Sequence, residues 1–140
     1  DVFTLTDAPV VATHSNLRTV CGHPRNLTDA QFQELVRRGG LCGINFYPLF
    51  VTGKKQDSYT YDALRRHLDR MLELGGEQTV ALGSDFDGAP MPSCLNSAEK
   101  LVRLYGSVVK WYGESFADRL FYSNAASFMK HDLTTAEKGN

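Results

Sequence analysis

The stretch Pro9-Val-Val-Ala-Thr-His14-Ser-Asn-Leu-Arg-Thr-Val-Cys-Gly-His-Pro-Arg25-Asn26 decides how the chain is read. An apolar run, Val10 to Ala12, ends on a histidine. A polar loop with a second histidine and an arginine follows. An α/β barrel presents its chemistry in this way, with a useful side chain at the carboxyl end of a buried strand and a functional loop after it. The arrangement recurs at Val80-Ala-Leu-Gly-Ser-Asp85-Phe-Asp87-Gly88, where an apolar strand delivers a carboxylate.

Between and beyond these two edges the chain alternates strands and helices. Residues 1–7 read as the tail of a helix and a turn, and the first strand runs from Pro9 to Thr13. Residues 15–27 form a polar loop. Thr28-Asp-Ala-Gln31 is a capping box, with the threonine hydroxyl on the third helical amide and the glutamine reaching back. The helix it opens places Phe32, Leu35 and Val36 on one face and stops at Gly39-Gly40. Leu41 to Phe46 is a continuous apolar strand, the pattern of a parallel sheet buried on both faces. Tyr47 to Ser58 reads as a loop. A helix from Tyr61 to Leu74 buries Leu64, Leu68, Met71 and Leu72 and turns Arg65, Arg66, Asp69, Arg70 and Glu73 outward. The third strand is Thr79 to Gly83. From Ser97 the chain is helical, with a stripe of Leu101, Tyr105, Val108 and Tyr112, then a short helix from Glu114 to Phe121. Asn124 is expected to cap a last helix through Lys130, and residues 134–140 read as a frayed polar end. The order β-α-β-α-β-α-α implies a parallel sheet with crossover helices.

Bulk composition narrows the classes. The 140 residues make one domain, 42% hydrophobic and 22% charged, which suits a soluble globular chain. A net charge of -1 makes no case for nucleic acid or an anionic membrane surface. No apolar run approaches the roughly 20 residues of a membrane span. Cys21, Cys42 and Cys94 are odd in number and far apart, with no Cys-x-x-Cys, so neither a zinc ribbon nor a disulfide framework is expected. They read as buried or half-buried thiols in a reducing compartment, and the expected location is cytoplasmic.

Three strands do not close a (β/α)8 barrel, which needs eight and usually about 250 residues. The choice between a small open sheet and part of a barrel falls to four motifs. These are Ala-Thr-His14-Ser-Asn, His23-Pro-Arg25-Asn-Leu-Thr-Asp29, Gly43-Ile-Asn-Phe-Tyr47 and Leu82-Gly-Ser-Asp85-Phe-Asp-Gly88. In this order and at these gaps they resemble the membrane dipeptidase family, renal or microsomal dipeptidase and its bacterial relatives. The resemblance runs from about Pro9 to Phe128. It implies an α/β fold, a partial TIM (β/α)8 barrel of about three β/α units plus C-terminal helices. Residues 1–140 would then be the C-terminal part of a metallo-dependent hydrolase barrel.

The resemblance also implies roles. His14 looks like a ligand of one of two zinc ions, Arg25 like the residue that binds the free carboxylate of a dipeptide, and Asp85 like the catalytic carboxylate. Four family features have no counterpart in these residues: the early His-x-Asp pair, the glutamate bridging the zincs, the histidine that meets the tetrahedral intermediate, and the first histidine ligand of the zinc held by His14. The chain is therefore expected to act as part of a zinc dipeptidase, and to be inactive and prone to aggregation by itself. Expected partners are a small dipeptide, the remaining part of the barrel and a second copy in a homodimer, with no nucleic acid. The alternatives are another barrel metallohydrolase of the amidohydrolase type and a catalytically empty binding or structural fragment.

Each site residue also has a plainer reading. A lone histidine at a strand end is usually a hydrogen-bonded structural group. Arg25 would by default be a solvated charge, and Arg18 competes with it for the carboxylate. Asp85 would by default cap the turn that follows, a role that suits Asp87 better. His23 reads as loop surface, and His67 and His131 as solvated or packing residues. Tyr47 and Phe50 either line a pocket or pack on the barrel rim.

Overall fold

The computed structural model describes residues 2–56 and 58–136, the last six of these as backbone alone. The first turn of helix, α1 (Val2–Leu5), precedes the first strand, β1 (Val11–Ala12). Then follow α2 (Asp29–Arg37), β2 (Leu41–Asn45), α3 (Pro48–Val51), α4 (Tyr61–Glu73) and β3 (Val80–Ser84). The chain ends in α5 (Ala98–Tyr112), α6 (Glu114–Asp118), a π-helical turn at Arg119–Ser123 and α7 (Asn124–Ala136). The three strands form one parallel sheet in the order β1-β2-β3. This is a partial, unclosed (β/α) barrel.

The sheet core is Cys42, Ile44, Val80 and Ala81, covered by Phe32 and Leu35 of α2 and by Leu64, Leu68 and Met71 of α4. The capping box forms in full, so the start of α2 is set by Thr28 and Gln31. In α5 the deepest residues are Leu104 and Val108, with Leu101, Tyr105 and Tyr112 half-buried beside them. Cys21 and Cys42 are buried and Cys94 half-buried, all as free thiols. Burial pushes the Cys42 thiol up to about 12.

Several expectations need correction. β1 holds two ladder residues rather than five. Its continuation lifts off the ladder because the Thr13 carbonyl crosses over Gly43 and Gly83, where a Cβ on either glycine would collide with that oxygen. The expected loop after β2 contains α3, a single turn opened by Pro48 at its first position. Asn124 does not cap a helix. It continues the helical backbone from the π turn, is buried, and donates from Nδ2 to the carbonyls of Glu77 at 2.9 Å and Val80 at 2.8 Å. The last helix extends past Lys130 to Ala136. The side chain of His131 and residues 137–140 lie outside the described residues.

Candidate active site

At their carboxyl ends the three strands present a row of polar groups: His14 beyond β1, Asn45 on β2 and Asp85 beyond β3. His14 sits between two fixed points, the Thr13 carbonyl packed on the glycines and the Ser15 amide, which donates to the Gly43 carbonyl at 2.7 Å. Its Nδ1 lies 2.7 Å from the Thr13 hydroxyl, and its Nε2 lies 2.9 Å from Nη2 of Arg25. A guanidinium only donates. Nε2 therefore accepts, and in the neutral ring Nδ1 carries the proton and donates to Thr13. The Nε2 lone pair is thus engaged by Arg25, and a metal on that nitrogen requires the guanidinium to move aside.

The loop that carries Arg25 is braced from within. Leu17 and Leu27 pair as an isolated bridge. Arg18 donates to the carbonyls of Pro24 and Asn26 at 2.7 and 2.9 Å, so its guanidinium is engaged by the loop itself. The amide of Asn26 donates to Cys21 and Phe50 carbonyls. Thr19 donates to Asp29 at 2.6 Å and Arg70 pairs with the same carboxylate at 2.8 Å. The Thr19 hydrogen bond, then Arg70, hold the Asp29 carboxyl below its ordinary value. His23 belongs to this support: it accepts the Arg25 amide at 3.2 Å and its ring lies 4.9 Å from that of Phe50. Phe50 in turn meets Tyr47 edge-on. Phe50 thus packs between Tyr47 and His23.

His67 is neither solvated nor a simple packing residue. It is fully buried in α4, where Nδ1 accepts the Leu17 amide at 3.2 Å and Nε2 donates to the Val51 carbonyl at 3.1 Å. Burial drives its pKa down to about 4. The residue ties the Arg25 loop and α3 to one helix.

Asp85 stands on unusual backbone. The ladder shifts between Ile44 and Asn45, so that Asn45 faces Ser84 rather than Gly83. Ser84 and Asp85 then have φ of 26° and 71°, a left-handed region that non-glycine residues seldom enter. A bulge of this kind turns a side chain to a new direction at the end of a strand. The amides of Gly88 and Ala89 bond to the Asp85 carbonyl, not its carboxylate. The turn-cap reading of the side chain therefore falls away. The carboxylate accepts instead from Asn45, with Nδ2 to Oδ2 at 3.1 Å.

Sequence reasoning missed two buried asparagines. Asn16 and Asn45 are both fully buried. Asn16 bonds to both backbone groups of Asn45 at 3.0 Å, giving from Nδ2 to its carbonyl and receiving its amide on Oδ1. The signal was present as an asparagine inside the apolar run Leu41 to Phe46, where an amide needs partners.

A cleft of about 500 Å³ lined by Pro9, Gly40, Thr79, Asn124 and Phe128 opens at the amino-terminal end of the strands. It lies at the pole opposite the polar row, and barrel chemistry belongs at the carboxyl ends. Among the described residues, no three His, Cys, Asp or Glu side chains gather to hold a metal. An imidazole suits zinc once Arg25 releases Nε2, and one ligand is short of the three protein groups a catalytic zinc takes.

The site is thus a parallel barrel segment with an imidazole, a guanidinium and a carboxylate at its carboxyl edge. Comparison with known proteins gives the family. Residues 1–138 match the family described as Membrane dipeptidase (Peptidase family M19), and the chain belongs to it. An uncharacterised protein from the pqqA 5' region of Klebsiella pneumoniae is 36% identical over 127 residues, 89% of this chain and 47% of that protein. The crystal structure of dipeptidase AC, an M19 metallopeptidase, has a TM-score of 0.83 at 36% identity, covering 88% of this chain and 37% of its own. A metallopeptidase from Rhodobacter sphaeroides, bound to a phosphinate mimic of the dipeptide L-Ala-D-Ala, gives 0.87 at 34% identity, covering 92% and 38%. The chain thus spans under half the length of these relatives. Among the described residues, no helix is long and apolar enough to cross a membrane.

Proposed function

We propose that these residues form part of a zinc-dependent dipeptidase that hydrolyses dipeptides carrying a free C-terminal carboxylate. The observation that carries this reading is the approach of Nη2 of Arg25 to Nε2 of His14 at 2.9 Å. One edge thereby joins a carboxylate-binding group to a metal-binding group, the pair an exopeptidase needs. Membership of the M19 family supports the same reading.

His14 offers Nε2 to zinc once Arg25 turns from that nitrogen to the substrate carboxylate, and the Thr13 hydroxyl accepts from Nδ1. Arg25 grips the substrate carboxylate with its planar fork, so a peptide without that group at that distance is not held. Asp85 takes the proton of the attacking water and passes it to the leaving amine nitrogen. Bound zinc supplies polarisation of the scissile carbonyl and a water of lowered pKa. The remaining zinc ligands come from the part of the barrel outside these residues, a reading supported by coverage of 37–38% of the solved relatives. The Rhodobacter sphaeroides ligand suggests that a D-residue at the second position is accepted.

The first test is zinc content and dipeptide hydrolysis by the full natural chain. Close to two zincs per chain, with hydrolysis of free dipeptides and none of their C-terminal amides, is the expected result. A zinc-loaded chain that leaves dipeptides intact sinks the proposal.

A further inference from the structure

We infer that Asn45 is a positioning residue for Asp85, and that Gly88 leaves the space in which Asn45 holds it. The inference rests on Asp85 as the catalytic carboxylate. Asn45 is fully buried, and each of its polar groups is committed. Its carbonyl oxygen Oδ1 accepts the Tyr47 amide at 2.6 Å, so the amide group cannot turn over. Nδ2 then faces Asp85 and donates to Oδ2 at 3.1 Å. The backbone of Asn45 is clamped by Asn16, which follows His14 closely in the chain. A line of hydrogen bonds thus runs from the His14 segment through Asn16 and Asn45 to Asp85, across all three strands.

The other carboxylate oxygen lies against Gly88. A Cβ at that position would overlap Oδ1 of Asp85. Gly88 is not among the glycines with positive φ, so alanine meets no left-handed strain there. What must yield is the Asp85 side chain, which would rotate away and lose its bond to Asn45. One oxygen is tethered by a donor and the other is accommodated by an absent side chain, and together they select one orientation of the carboxylate.

The test uses the full natural chain loaded with zinc and a dipeptide substrate. Asp85→Asn, Gly88→Ala and Asn45→Asp are compared for kcat, KM and melting temperature. Asn45→Asp keeps the shape and the acceptor for Tyr47 but removes the donor and sets a second carboxylate beside Asp85. For both positioning variants kcat is expected to fall roughly 10–100-fold, the usual effect of groups one layer behind the chemistry. KM should stay within about threefold and the melting temperature of Gly88→Ala within a few degrees, since carboxylate binding and the core are untouched. If Asn45→Asp fails to fold, Gly88→Ala decides alone. Wild-type kcat in Gly88→Ala, with Asp85→Asn inactive, overturns the positioning role and leaves Asp85 catalytic. Wild-type kcat in Asp85→Asn overturns the catalytic reading and the inference with it. A crystal structure of Gly88→Ala with the Asp85–Asn45 bond intact likewise overturns the inference.

Discussion

The Arg25 loop and the Asp85 turn hold their side chains by opposite means. The loop is long and carries little strain. Arg18 braces it from within, and Asn26, Thr19 and the buried His67 tie it to Phe50, to Asp29 and to α4. The turn is short and strained, with two consecutive residues at positive φ and one amide on its carboxylate. Such backbone costs on the order of 1–3 kcal/mol per residue and persists only where surrounding structure insists on it. Under the proposed roles, redundant anchoring suits a group that must meet a substrate at a distance, and a single strained pose suits one that moves a proton over one hydrogen-bond length.

The largest effect should come from the turn. Asp85→Asn in the full natural chain is expected to lower kcat by about 10²–10⁴-fold with little change in KM, the range for loss of an acid–base group. Steady-state kinetics on a free dipeptide checks it, and a raised KM at constant kcat would move Asp85 to the binding side.

Loss of an anchor in the loop should show in stability, through pH. The His67 pKa is about 4 in the fold against 6.5 ordinarily, so the unfolded chain takes up the proton more readily. Stability from this group is complete above about pH 6.5 and drains away as pH falls toward 4. At ~1.4 kcal/mol per pH unit the loss is on the order of 3 kcal/mol. Urea midpoints between pH 7 and 4 should record it, and His67→Gln, which cannot take the proton, should flatten that part of the curve.

Arg25→Ala should raise KM about 10–100-fold, as one charge-assisted contact is worth about 1.5–3 kcal/mol. It should also abolish discrimination between a dipeptide and its C-terminal amide. If the variant still prefers the free carboxylate, another cation is responsible. The smallest effect belongs to the entry of α2, where the Arg25 loop ends. Thr28→Ala removes a cap worth about 1 kcal/mol, measurable as a lowered urea midpoint with kcat unchanged.

What could be read in advance follows from which interactions are local. Phe32, Leu35, Leu64, Leu68 and Met71 declare their helices through spacing, and Thr28 with Gln31 declares a start, because those contacts span a few residues. Tertiary closures are not local. Gly43 and Gly83 announce that some backbone comes close, but nothing nearby in the chain names Thr13 as the partner. His67 reads as an ordinary helix residue until Leu17 and Val51 arrive at its two nitrogens. Asn124 has the chemistry of a cap and is used as a brace to Glu77 and Val80 instead. The α3 turn is too short for any period to show.

Strand order in the sheet is the order along the chain, with Val11 beside Leu41 and Cys42 beside Val80. Each crossover therefore closes a loop of similar length, and loop-closure entropy rises only as the logarithm of that length. Every β/α unit added next to its predecessor meets almost the same entropic barrier as the one before. A polypeptide built this way can assemble like a zip, unit upon unit as it leaves the ribosome. Its natural seams for splitting into complementing halves, or for joining halves from different parents, are the boundaries between those units.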